Sequence, residues 1–381
     1  MSLKKIAFIL FIILSKAEAQ SSALAIADSL YTIENYSKAI NYYSKVNSIN
    51  AKLQIARAYN SNGNYSKSIL QYEYLIRNNT TLQVANYELG KLYLKVKKPQ
   101  KALAVFKRLT LENIDNPAYY YYLGNAFTDL DSLDLALETY KKAIITDSTH
   151  LRSIYKVAKY YVEQRESNEA LAYLDLGLSY DDHNAGLLNL KALALFNNGQ
   201  YEKAIPYFKK LIALNEEKPY IYQRLAYAYF KNWEFEKAKN TYKLMLNPLN
   251  QDPKILYDLA KVYLKNKELD SAAYYIKKSI SENIVILDKE YRTLGNIASQ
   301  KKDYKGALTY YKKALKEDKG NIINFYQVCI VGDQYYKDPK QKLKCYENML
   351  SQFNREEDYF LTFAKKRISE LKEEIHFSQK N

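Results

Sequence analysis

The sequence predicts an all-α fold in which one helical hairpin is repeated along most of the chain. A small residue recurs at Ala102, Ala136, Ala170, Ala204, Ala238 and Ala272, each 34 positions after the last. The series reaches back to Ser68 at the same interval and to Ala39 after 29, and forward to Ala307 after 35. A second small series runs twelve positions ahead of it: Ala27, Ala56, Gly90, Gly124, Ala158, Ala192, Ala226, Ala260 and Gly295. Small residues at that separation suit antiparallel helices whose backbones cross closely. Composition agrees. With 48% hydrophobic and 26% charged residues over 381 positions, the chain can bury a core. Only 10 Gly and 7 Pro leave little turn punctuation for a fold of many short strands.

The first element is a leader over residues 1–19. Lys4 and Lys5 form a basic start, Ile6 to Leu14 is an unbroken apolar run of nine, and Ala17-Glu18-Ala19 is a small-x-small cleavage site. Nine residues rise about 14 Å as a helix, against a hydrocarbon core of ~30 Å, so a cleaved signal peptide is expected rather than a spanning helix. No cysteine follows the site, so no lipid anchor is indicated, and no later run approaches a membrane span. The expectation is an exported chain, periplasmic or secreted, with a repeat region from 20 to 350 and a cap and tail over 351–381.

Within each repeat the large apolar positions follow the small ones. Three residues after the second series stand Leu30, Tyr59, Tyr93, Phe127, Tyr161, Leu195, Tyr229, Tyr263 and Ala298. Four after the first series stand Tyr43, Tyr72, Phe106, Tyr140, Leu174, Phe208, Tyr242, Ile276 and Tyr311. Spacings of three and four put each large side chain on the helical face of its small neighbour. Turn-prone segments such as Asn62-Gly63-Asn64 and Asn198-Gly199-Gln200 separate the two helices. A tenth, poorer unit follows with helices over 321–337 and 340–350, its small positions lost. It holds Cys329 and Cys345, which would staple its helices in an oxidising compartment or remain two buried thiols otherwise. The amphipathic stretch 358–377 reads as a capping helix.

These residues carry a resemblance to the tetratricopeptide repeat family, whose pattern stands here as Leu123-Gly124, Phe127, Leu133, Ala136, Tyr140 and Ala143, and again as Leu294-Gly295, Tyr304, Ala307, Tyr311 and Ala314. The resemblance covers about residues 20–320. It implies an all-α right-handed solenoid of nine to ten helix-turn-helix repeats, ended by a capping helix, in which each repeat packs only on its neighbours. Gln20 after the cleavage site and the richness in Lys, Asn, Ile and Tyr resemble exported repeat proteins of Bacteroidetes.

The same resemblance implies that the first helix of each repeat lines a concave groove for peptides. In this register one groove position carries Tyr87, Tyr121, Tyr155 and Tyr257, with Lys91, Asn125, Lys159 and Lys261 four residues later, side by side on one helix face. Tyrosine supplies rigid contact area, and lysine or asparagine can hold a carboxylate or a peptide carbonyl. The sixth and seventh repeats depart from this ladder with Asn189, Leu193 and Phe196, then Gln223, Tyr227 and Phe230, either as a more apolar pocket or as variation in the same groove. About fifteen of the 40 tyrosines fall at packing positions of the repeat, and Trp233, in an interhelix turn, reads as structural too.

The net charge of +15 falls to +13 when Lys4, Lys5, Lys16 and Glu18 leave with the leader. It is spread along the chain, as on solvated helix faces, and nucleic acid is not expected as a partner. The function expected is a non-enzymatic scaffold of the bacterial cell envelope that binds a peptide or partner protein in the groove. The alternative is a protein that binds glycans or envelope polyanions through the groove Tyr and Lys. Two cysteines and three scattered histidines, at His150, His183 and His376, give no metal-ligand spacing, and no phosphate loop or nucleophile motif is present. No cofactor and no enzymatic activity are expected.

Overall fold

Helix boundaries follow local chemistry. Five of the seven prolines open helices, where the missing N–H costs nothing. Ser48, Asn116, Asp252, Asp303 and Asp338 cap helices by accepting from backbone N–H groups of the first turn. A computed structural model describes residues 21–246, 251–282, 287–353 and 358–378, and the leader expected over 1–19 lies outside them.

The chain divides into two compact units, Met1–Ala194 and Leu195–Asn381. The first contains α1 (21–32), α2 (Tyr36–Tyr43), α3 (Ile49–Ser61), α4 (Tyr65–Asn78), α5 (Gln83–Lys95), α6 (Pro99–Glu112), α7 (Pro117–Thr128), α8 (Leu133–Thr146), α9 (Leu151–Gln164) and α10 (Ser167–Tyr180). The division falls within α11 (Ala185–Asn197). The second unit continues with α12 (Tyr201–Ala213), α13 (Pro219–Lys231), α14 (Phe235–Met245), α15 (Pro253–Lys265), α16 (Leu269–Glu282), α17 (Asp288–Gln300), α18 (Tyr304–Glu317), α19 (Ile322–Tyr335), α20 (Pro339–Gln352) and α21 (Tyr359–Ser378). Each odd helix pairs with the even helix after it, so each unit is an all-α solenoid of helix-turn-helix repeats. The tenth hairpin and the final helix fall within two residues of the ranges expected from sequence.

Both small series lie in the core, and every Ala or Ser in them is at most 2% exposed. The reason is contact between the helices of one hairpin. A Cβ added at Gly124 would stand 2.5 Å from the Tyr140 ring, and one at Gly90 or Gly295 would stand 2.7 Å from Phe106 or 2.6 Å from Tyr311. Three of the buried tyrosines also satisfy their hydroxyls across the hairpin. Tyr43 donates to Asp28 at 2.5 Å, Tyr140 to Asn125 at 2.8 Å and Tyr311 to Asn296 at 2.7 Å. Each acceptor directly follows the small residue of the first helix.

A third periodic position was invisible in composition. Seven residues after each member of the second series the backbone turns left-handed: Glu34, Gly63, Lys97, Asp131, Arg165, Gly199, Trp233, Lys267 and Lys302 have φ between 55° and 75°. At each of these turns the following N–H donates back to the carbonyl five residues earlier, from Asn35 to Leu30 through to Asp303 to Ala298, at 2.8–3.0 Å. This closes the first helix and aims the chain into the second. The tenth hairpin lacks it: Tyr336 has φ −82° and ψ 136°. There Cys329, 34 residues after Gly295, is bonded to Cys345 with Cα atoms 5.6 Å apart, so the structure places the two thiols in a disulfide. The capping helix α21 covers the cluster of Cys329, Tyr346 and Met349 with Leu361, Ala364 and Leu371, and its Arg367 pairs with Asp333 at 2.9 Å.

Two outcomes test this packing. Gly124→Ala raises intrinsic helix propensity by ~1 kcal/mol but drives a methyl group into Tyr140, so a net loss of about 1–3 kcal/mol is expected in thermal or urea unfolding. Burial pushes the Tyr311 hydroxyl up to about 12 from its ordinary 10.0, with Arg292 opposing. A raised pKa contributes stability that is complete below 10.0 and disappears as pH climbs through about 12. The midpoint of thermal unfolding should therefore fall across that window, and less steeply in Tyr311→Phe.

Candidate functional site

The odd helices bring the expected ladder residues into equivalent places, and the tyrosines turn out to lean on the next hairpin. In the first unit the Tyr87 ring on α5 packs against Tyr119 and Tyr122 of α7, at 5.7 and 5.5 Å between centroids. Burial raises its hydroxyl pKa, helped by the neighbouring Tyr122. Tyr121 on α7 reaches His150 at the start of α9, at 5.6 Å. Tyr155 on α9 lies against Gly186 of α11. In the second unit the Tyr257 hydroxyl bonds Thr293 of α17 at 3.2 Å. Each ring is half-buried, so much of its area serves the stack.

The companion residues differ in what they leave open. Lys91 is exposed, its ammonium 5.1 Å over Tyr87 and 5.7 Å over Tyr122, with no carboxylate at ion-pairing distance among the described residues. Asn125 accepts from Tyr140, Lys159 lies 3.5 Å from Glu163, and Lys261 sits 2.6 Å from Asp258 while also 5.1 Å over Tyr257. Near Lys91, Glu88 takes a two-pronged pair from Arg57 and the hydroxyl of Tyr72 at 2.6 Å, forming the wall of a polar hollow of about 350 Å³.

The departure expected in the sixth and seventh repeats is a cavity. Phe196, Gln223 and Tyr227 line a hollow of about 470 Å³ in the second unit, with Asn197, Tyr201, Tyr220, Arg224, Tyr242 and Asp258. Of these, Arg224 and Asp258 were not singled out in the sequence, and Tyr242 was read there only as a packing residue. The legible signal for Arg224 was its place three residues before Tyr227 on one helix face. Its guanidinium lies 4.9 Å from the Phe196 centroid, again with no carboxylate at ion-pairing distance among the described residues. Asn189 and Leu193 do not line the cavity.

Tetratricopeptide repeat models match residues 195–255, residues 87–150 and 155–220, and residues 289–321, together just over half of the chain. The chain belongs to the tetratricopeptide repeat family. Among solved structures with a similar fold, a tetratricopeptide repeat protein of Parabacteroides merdae is 17% identical, covers 61% of this chain and 92% of its own, and has a TM-score of 0.44. The C-terminal part of a repeat protein of Cytophaga hutchinsonii is 17% identical over 72% of this chain and 99% of its own, with a TM-score of 0.46. Yeast Tom70 is 13% identical over 94% and 97%, with a TM-score of 0.42. No curated protein matches the chain. Tetratricopeptide repeats are a fold typical of protein–protein interaction modules. Among the described residues no cluster of three or more His, Cys, Asp or Glu could hold a metal, and no helix is long and apolar enough to cross a membrane.

Trp233 departs from the packing role expected of it. In this tetratricopeptide chain it holds the left-handed position of its turn, 67% exposed, touching Phe235 at 5.7 Å and carrying Lys265 at 4.9 Å over its ring. A non-glycine residue there costs about 1–2 kcal/mol. Trp233→Gly should therefore match or exceed the wild type by up to about 1 kcal/mol in chemical denaturation. A loss of more than that would mean the indole supports the fold.

Proposed function

We propose that this protein is a non-enzymatic scaffold of the bacterial cell envelope, whose odd-helix face binds an extended segment of a partner protein. The observation that carries this reading is the state of the cations on that face. Lys91 in the first unit and Arg224 in the second each lie on aromatic ring faces without an acidic partner among the described residues. Such a cation is partly desolvated by the ring beneath and still has N–H donors to offer. A peptide supplies what they lack, carbonyls and carboxylates beside apolar side chains. The leader expected from sequence over residues 1–19 and the Cys329–Cys345 bond support an oxidising location outside the cytoplasm.

The test is recovery of partners from a native cell-envelope extract on the full-length protein and on a Lys91→Glu, Lys159→Glu, Lys261→Glu triple variant. One protein retained in stoichiometric amount by the wild type and lost from the variant is the expected result, with unfolding midpoints alike because exposed pairs contribute little. Retention by the variant would sink the groove. Glycan or anionic lipid, released by salt with no protein, would replace this reading with polyanion binding.

A further inference from the structure

The cavity of the second unit departs from an arrangement that three other hairpins share. Of the buried tyrosines four residues after the small one of the second helix, Tyr72 donates to Glu88 of the next hairpin, whereas Tyr43, Tyr140 and Tyr311 donate to the residue after the small one of the first helix, Asp28, Asn125 and Asn296. In the seventh hairpin that place belongs to Tyr227. Tyr242 is 1% exposed, lines the cavity, and its hydroxyl has no hydrogen-bond partner among the described residues. Burial also holds this hydroxyl protonated, raising its pKa well above the ordinary phenol value, so it stays a donor. The hydroxyl opens to the cavity, and an occupant that accepts would take up its bond.

The charges point the same way. Arg224 presents its guanidinium to the cavity, one side on Phe196 and no carboxylate within reach among the described residues. Asp258, the acid on the wall, pairs with Lys261 at 2.6 Å, and after burial it is the next cause of the raised Tyr242 pKa. The open groups are thus N–H and O–H donors above flat apolar rings. A row of rings continues from Tyr227 through Phe230 at 6.1 Å and Phe235 at 6.3 Å to Trp233 at 5.7 Å. Contact surface therefore extends past the cavity, which suits a chain passing through it rather than one ending there.

We propose that this cavity is the anchoring subsite of the peptide groove and takes the side-chain carboxylate of an Asp or Glu flanked by an aromatic residue within the partner's extended segment. Arg224 and the Tyr242 hydroxyl hold the carboxylate, and Phe196 and Tyr227 pack beside it. This rests on the scaffold reading above and names the chemistry the groove selects.

Trp233 is the one tryptophan of the chain and lies on the ring row, so its fluorescence reports binding. The probe is a heptapeptide Gly-Ser-Phe-Glu-Phe-Ser-Gly, blocked at both ends, titrated into the full-length protein beside its Gln counterpart. A third peptide ends at the second Phe with a free terminus and carries Gln, and oligogalacturonate serves as an acidic glycan. The Glu peptide should bind at least about tenfold more tightly than the Gln peptide, the size expected for a charge-assisted pair. Arg224→Gln should remove that preference, Arg224→Lys should restore part of it, and Tyr242→Phe should weaken the Glu peptide by about three- to tenfold. Equal binding of Glu and Gln peptides, no binding of either, or preference for the free terminus or the glycan would overturn the subsite. If Arg224→Gln still recovers the partner that the triple lysine variant loses, the scaffold reading stands and the subsite falls.

Discussion

The close crossing of two helices, repeated at a fixed interval, is the constraint on which the rest of this molecule depends. A small residue on each helix lets the backbones approach, and an aromatic ring from one helix then lies on the small residue of the other, as Tyr140 does on Gly124. The left-handed residue and its back-directed N–H fix where the second helix starts, so the crossing falls at the same level each time. Once crossing and turn are set, little freedom is left to the hairpin, and neighbours stack through the half-buried tyrosines of the odd helices. Part of the unusual tyrosine content is explained by this geometry: a large ring to fill the crossing, with a hydroxyl that finds an acceptor on the facing helix at Tyr43, Tyr140 and Tyr311.

Where that pattern is kept, the face is closed upon itself. Where it is relaxed, the molecule has something to offer. Replacing the acceptor by Tyr227 removes the internal partner of Tyr242, and the same stretch brings Arg224 onto Phe196 without an acid beside it. A local departure from the repeat thus coincides with donors that open to the cavity and have no partner among the described residues. In the first unit Glu88 binds both Arg57 and Tyr72, and in the second Asp258 binds Lys261, which shows how readily this chain pairs its charges when it needs only to stand.

Much of the fold was legible because small and large residues must alternate at helical spacing for the crossing to form, and these positions tolerate few residue types. Gly124 and Tyr140 declare themselves. The left-handed turns did not, since only Gly63 and Gly199 among the nine use glycine; the hydrogen bond that follows each turn holds the others in place. The ladder of Tyr87, Tyr121, Tyr155 and Tyr257 was found by periodicity, yet periodicity could not tell that their rings lean on the next hairpin. Arg224 was missed and Tyr242 read only as packing because what distinguishes them is the lack of a partner, and that is a property of surroundings brought together by folding. The two cysteines likewise needed their Cα separation before their relation could be stated.

The disulfide in the tenth hairpin bears on how such a stack comes apart. Chains held only by nearest neighbours open from their ends, each lost repeat exposing the next, much as a zipper runs. At its C-terminal end this chain has a hairpin without the left-handed turn, which by itself would be the first to open. A covalent loop of sixteen residues, worth about 3 kcal/mol against the unfolded chain, is placed at that point, and α21 lies over it. Fraying is thereby halted at the hairpin least able to resist it, and proteolysis that begins at loosened ends would find this one shut only after the thiols have been oxidised.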